Sequence, residues 1–212
     1  MLILIYNDDG ASDDCVKALT QWLPNQTIEL ISSAELQKKT WMSKTNLLIM
    51  PGGRSLPFYK KLGALGNQNI KKFVEEQGGS YFGICAGAYY ACRKTIFAKG
   101  LPLELILPGE LNFFEGNAIG PVFAADEFSY HSERGARIVE IIFENNDVHR
   151  VYCNGGCYFE NTNQARVLAR YQLNQQPAII VCTVGLGRVL LSGVHPELSP
   201  FLSPISLNAI LT

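Results

Sequence analysis

An α/β fold built on a mostly parallel sheet, with extra β-strands in the second half, is predicted by three features of the 212-residue sequence. The first half alternates short apolar runs with helical patterns. The helical period then fades after about residue 103, and strand-length apolar runs take over. The composition, 47% hydrophobic with 10% aromatic, provides enough apolar side chains for a core without cross-links. The length fits one domain, 1–212.

Leu2 to Tyr6 reads as a buried strand and Asn7-Asp8-Asp9-Gly10 as the loop that follows. Ser12 suits a helix N-cap, with Asp13 and Asp14 in the first turn where the helix dipole favours acids. Val16, Leu19, Trp22 and Leu23 then fall at helical spacing. Thr27 to Ile31 and Asn46 to Met50 are the next strands, the latter closed by Pro51-Gly52-Gly53. Ile70, Phe73 and Val74 mark a helix stopped at Gly78-Gly79. Ser80 to Ile84 is a fourth strand, and a helix is expected from Ala86 to Lys94. Beyond it, Arg137 to Phe143, Val148 to Tyr152 and Arg166 to Tyr171 read as strands. Ala178 to Val184 and Val189 to Val194 form a hairpin across Gly185-Leu186-Gly187-Arg188. A closing helix is expected over Ser199 to Leu211.

Eighteen Lys and Arg against nineteen Asp and Glu leave a net charge of −1, with no basic stripe. That balance argues against a nucleic-acid partner. The apolar start, Leu2 to Tyr6, has no basic lead and soon meets Asp8-Asp9. It is too short for a signal or a membrane span, so a soluble, cytoplasmic protein with no membrane partner is expected. In a reducing compartment the six cysteines default to free thiols. Cys15, Cys92 and Cys182 read as small core residues. Cys153 and Cys157 lack the second ligand pair of a zinc site, so no metal is expected. Neither Pro51-Gly52-Gly53 nor Gly185-Leu186-Gly187 is followed by the Lys and Ser/Thr of a phosphate loop, and no motif demands a cofactor.

Gly83-Ile84-Cys85-Ala86-Gly87 carries the sharpest chemical signal. Small residues two before and two after a nucleophile, at a strand-to-helix junction, define a nucleophile elbow. The helix N-terminus there favours a thiolate, and the Ala86 N–H is placed to receive an oxyanion. A buried cysteine in a glycine-rich turn is the alternative. Of three histidines, His195 ends an apolar run, where an open α/β sheet collects functional groups. Glu197, two residues on, can fix the imidazole tautomer as a thiol's base requires. His131 and His149 lie in polar stretches and read as surface residues. Gly52 and Gly53 at a strand end let the backbone approach a ligand.

The order Pro51-Gly52-Gly53, Gly83-Ile84-Cys85-Ala86-Gly87, His195-Pro196-Glu197 resembles the class I glutamine amidotransferase superfamily over nearly the whole chain. The segments Gly83 to Ala91, Tyr152 to Phe159 and Leu191 to Glu197 look like the amidotransferase-like N-terminal domain of eukaryotic-type biotin-protein ligases and its stand-alone bacterial homologues. The resemblance implies a flavodoxin-like three-layer sandwich. It makes Cys85 the nucleophile, His195 the base and Glu197 its orienter, with oxyanion donors at Gly53 and Ala86. It also places Gly52, Tyr89, Asn154 and Gly155 on the substrate side. The implied activity is cleavage of an amide or acyl bond through a thioester, with a small-molecule substrate linked to biotin-related metabolism and a synthase or ligase as the partner protein. A non-catalytic ligand-binding or regulatory module is the other reading. The stretch Ala86-Gly87-Ala88-Tyr89 departs from the Leu-Gly-His-Gln type of glutamine-using members, which weighs against glutamine. No Gly-Arg-Gly-Arg loop for a biotin adenylate is present, which excludes ligase activity. Tyr89, Tyr90, Tyr130, Tyr152, Tyr158 and Phe159 suggest a pocket walled by rings, with core packing the alternative for at least half of them.

Overall fold

Thirteen strands are arranged in two sheets in the computed structural model, which describes residues 1–23 and 26–199. The expected helix over Ser199 to Leu211 lies, from residue 200 on, outside the described residues. In chain order the first strands are β1 (Leu2–Tyr6), β2 (Thr27–Ile31), β3 (Leu47–Met50) and β4 (Ser80–Ile84). They are followed by β5 (Cys92–Phe97), β6 (Leu105–Pro108), β7 (Phe114–Gly120), β8 (Arg137–Phe143) and β9 (Val148–Cys153). The last are β10 (Tyr158–Glu160), β11 (Arg166–Tyr171), β12 (Pro177–Val184) and β13 (Gly187–Ser192). The helices are α1 (Asp13–Trp22), α2 (Ser33–Leu36), α3 (Ser55–Glu75) and α4 (Ala86–Ala91).

The large sheet runs β2-β1-β3-β4-β13-β12-β11-β8-β9. Its first five strands pair in parallel and the remaining ones antiparallel. The parallel part has the order of a flavodoxin-like sheet, in which ligands bind beyond the carboxyl ends of the strands. The period of two along β1 sorts the core into two layers. Leu4 and Tyr6 face α2, α3 and α4, packing with Leu36, Phe58, Leu62 and Tyr90. Ile3 and Ile5 face the other way, with Val16 and Leu19 of α1. Each such fully buried side chain contributes roughly 1.5–3 kcal/mol relative to exposure.

The expected helix from Ala86 to Lys94 is shorter than its sequence suggests. It stops at Ala91, and Cys92 turns extended (φ −85°, ψ 159°) to begin β5. β5 lies between β7 and β6 in a second sheet, β10-β7-β5-β6. The pairing of Thr95 and Ile96 with Ala118 and Ile119 outweighs local helix propensity. Helix α3 extends well beyond the expected apolar triplet and bends at Gly63 (φ 57°). No helix among the described residues is long and apolar enough to cross a membrane.

The antiparallel wing curls back on itself. β9 is the last strand in the sheet order, yet Tyr152 bridges to His195, just past β13. The ring β13-β12-β11-β8-β9 is closed there by a hydrogen bond of 2.9 Å from the His195 N–H to the Tyr152 carbonyl. Val139, Ile141, Val151, Leu168, Ile179 and Val194 belong to the same buried cluster as Ile3, Ile5 and Val16.

Candidate active site

Cys85 ends β4 in a conformation that L-residues rarely adopt, φ 47° and ψ −104°. Strain of this kind costs on the order of 1–3 kcal/mol and concentrates at functional positions. The flanking glycines make the turn possible: a Cβ on Gly83 would lie 2.6 Å from the Gly87 carbonyl oxygen, and one on Gly87 2.1 Å from that of Met50. The Cys85 N–H donates to the Ser192 carbonyl at 2.8 Å, tying the elbow to the end of β13. Its Sγ sits 3.7 Å from the Asn154 carbonyl oxygen, and the residue is 6% exposed.

His195 follows β13, and a short 3-10 turn over Pro196–Leu198 brings Glu197 back beneath it. His195 Nδ1 lies 2.8 Å from Glu197 Oε1, with both side chains buried. Ser199 holds the segment: its hydroxyl donates to the His195 carbonyl at 3.0 Å and accepts from the Tyr152 N–H at 3.1 Å. The Tyr152 ring meets the imidazole edge-on at 5.6 Å. Gly52 is required from the other side, because a Cβ there would come within 2.4 Å of His195 Cε1. Burial alone would depress the imidazolium. The Glu197 carboxylate, the neighbouring Cys85 and the contact of Nδ1 with the Cys15 sulfur together outweigh it, and the His195 pKa stands well above its ordinary value.

Gly53 and Ala86 are the expected oxyanion donors. The N–H of neither donates to another described residue, leaving two backbone donors beside Cys85. Tyr89, Asn154 and Gly155 line one small cavity together with Cys85, Gly53 and Ala86. Tyr89 is largely a wall, since its hydroxyl is spent on the Gly155 carbonyl at 3.1 Å. Asn154 Oδ1 is buried without a hydrogen-bond partner among the described residues. The adjoining larger cavity, about 500 Å³, is lined by Cys85, His195, Arg54, Tyr130, Tyr152 and Cys15 among others. Of the rings expected around a pocket, Tyr130 and Tyr152 line this cavity, and Tyr89 the smaller one. Tyr90 and Phe159 belong to the core. Tyr152 donates to Glu133, and burial followed by that bond pushes its hydroxyl up to about 12.

Two contributors to the site lie outside the sequence expectations. Cys15, expected as a core filler, is buried, but its Sγ lies 3.5 Å from His195 Nδ1. Its only sequence signal is its place in the helix after β1, beside the carboxyl ends of the parallel strands. The loop Phe128 to Glu133 roofs the larger cavity and carries no periodicity that would reveal it. His131 is exposed on that rim, while His149 packs edge-on against Phe143. All six cysteines are free and buried.

The family model described as "Biotin-protein ligase, N terminal" matches residues 1–209. The chain is 37% identical over 221 residues to "Biotin--protein ligase" of Schizosaccharomyces pombe, an alignment that spans 97% of this chain but only 34% of that protein. It is 35% identical over 211 residues to an "Uncharacterized protein" of Chlamydia muridarum, covering 93% of this chain and 81% of that one. Its fold is similar to a solved glutamine amidotransferase, with a TM-score of 0.63, 22% identity and coverage of 92% of this chain and 90% of that one. An amidotransferase-like fold thus places Cys85, His195 and Glu197 just past the carboxyl ends of the paired strands β4 and β13, and the chain belongs to the family of biotin-protein ligase N-terminal domains.

Proposed function

We propose that this protein is a cysteine-dependent hydrolase or acyl transferase acting on a small amide or related acyl compound. The observation that carries the reading is the strained elbow at Cys85, with N–H groups at Gly53 and Ala86 that donate to no described residue and a buried His195–Glu197 pair beside it. Glu197 accepts the Nδ1 proton of His195, which leaves Nε2 as the base. His195 takes the Cys85 proton as sulfur bonds to the acyl carbon, and the two N–H groups hold the oxyanion. The C–N bond then breaks, the leaving amine receives that proton, and a thioester remains on Cys85. Attack by water, deprotonated by His195, releases the acid and restores the thiol. The unpartnered Asn154 Oδ1 favours a substrate with an N–H donor. Glutamine fits poorly, since the helix after Cys85 presents Ala86-Gly87-Ala88-Tyr89.

A ligand-binding, regulatory role toward a ligase or synthase is the second reading. It is favoured by the fission-yeast relative, of which this chain spans about a third, 34%. The two readings separate on thiol reactivity. Limiting iodoacetamide at neutral pH, followed by intact-mass and peptide analysis, is expected to label Cys85 selectively. His195→Ala is expected to slow that labelling at least ~10-fold, because Cys85 loses the neighbouring imidazole that takes its proton. Slow, unselective labelling of both proteins would overturn the hydrolase reading.

A further inference from the structure

Cys15, His195 and Glu197 come from two distant segments, yet one donor atom from each lies within 4.8 Å of the others, and all three residues are buried. The Cys15 Sγ to His195 Nδ1 distance is 3.5 Å, and Glu197 Oε1 is 2.8 Å from the same nitrogen. Glu197 Oε2 is buried and has no hydrogen-bond partner among the described residues. Three features separate this cluster from a thiol that merely fills space. Its sulfur points at a nitrogen, its carboxylate has a spare lone-pair oxygen, and its members line the larger cavity through Cys15 and His195.

Thiolate, imidazole and carboxylate together are a donor set for zinc. Tetrahedral zinc, with Zn–S about 2.3 Å and Zn–N about 2.05 Å, places sulfur and nitrogen about 3.6 Å apart. The observed 3.5 Å meets that without movement. Nitrogen and carboxylate oxygen would stand about 3.3 Å apart, so Glu197 has to draw back by about half an ångström or turn its free oxygen inward. A fourth position would open to the cavity.

We infer that Cys15, His195 and Glu197 form an inhibitory zinc site, in which the metal and the Cys85 thiol compete for one imidazole. On coordination the Cys15 thiol gives its proton to solvent, and zinc bonds to sulfur, nitrogen and oxygen in place of its own waters. Nδ1 then presents a lone pair to the metal, so the one proton left on the ring sits on Nε2, and any second ring proton leaves to solvent with that of Cys15. An imidazole carrying its proton on Nε2 cannot accept the one from Cys85. The inhibitory consequence rests on the proposed hydrolase reading, whereas the site itself does not.

The test is titration of the full chain with zinc ion alone, by calorimetry, with cobalt(II) as a spectroscopic substitute that shows a thiolate charge-transfer band. Wild type and Cys85→Ala are expected to bind one zinc each and to show the band. Cys15→Ser is expected to lose the band and to bind zinc at least ~100-fold more weakly, since even loss of an outer-shell partner costs ~10–100-fold. Binding absent from the wild type at micromolar zinc, unchanged in Cys15→Ser, or abolished in Cys85→Ala would each overturn the site. The Cys85→Ala arm decides the matter even if Cys15→Ser fails to fold. Zinc that binds but leaves iodoacetamide labelling of Cys85 as fast as before would overturn the inhibition. Labelling that is slow and unselective without zinc would instead sink the hydrolase reading, with the zinc site untouched.

Discussion

The parallel strands and the antiparallel wing divide the work of this molecule unequally. β3 and β4 are buried along their whole length because helices cover both faces. β8 and β9 alternate, and Ile138 and Val148 remain about half exposed. The chemically able groups all follow parallel strands: Cys15 in the helix after β1, Gly52 and Gly53 after β3, Cys85 after β4, and His195 after β13. The wing contributes walls, Tyr152 and Asn154, and anchors the His195 backbone. The carboxyl ends of strands buried on both faces thus hold the chemically able groups, while a half-solvated sheet shapes the space around them.

That division can be broken most sharply at Cys85. Cys85→Ala is expected to remove turnover of any amide substrate by at least ~10³-fold while the circular dichroism spectrum stays unchanged. Residual turnover near wild type would move the nucleophile elsewhere. Glu197→Gln keeps the volume but loses the charge that fixes the imidazole, and a ~10²- to 10⁴-fold fall in kcat/KM is expected. On the packing side, Gly87→Ala drives a methyl against the Met50 backbone and should lower stability by about 3 kcal/mol in urea unfolding. A change under about 0.5 kcal/mol would mean that the elbow has slack.

A pH series sharpens the electrostatic side. The folded-state pKa of His195 is raised, so its ion-pair contribution is fully present below the unfolded value of about 6.5 and disappears as pH rises through the raised folded value. The Tm advantage of wild type over His195→Gln is therefore expected to be largest near about pH 6 and to shrink in alkaline buffer. A constant gap would contradict the charged pair. The smallest effect belongs to the wing surface. Leu173→Ser, at a position 82% exposed, should shift stability by less than about 0.5 kcal/mol.

Legibility in the sequence followed the same division. Leu2 to Tyr6, Ser80 to Ile84 and the Gly83 to Gly87 elbow announce themselves, because complete burial writes continuous apolar runs and tight turns demand glycine. β5 was hidden, since Arg93 and Lys94 are both exposed and the strand shows no clean alternation. β6, β7 and β10 are short or carry Gly116 and Asn117, so their pairing is decided by tertiary neighbours rather than by propensity. Cys15 escaped for a different reason. Its role depends on where the first helix lands relative to a residue 180 positions away, and one cysteine among apolar neighbours carries no trace of that distance.

The bridge between Tyr152 and His195 makes one amide proton informative. Because the His195 N–H closes a five-strand ring, its exchange with deuterium would count how often the ring springs open. Each opening would also carry the imidazole away from Cys85. The lifetime of a single backbone hydrogen would then time how long the site stays assembled, in the absence of any substrate.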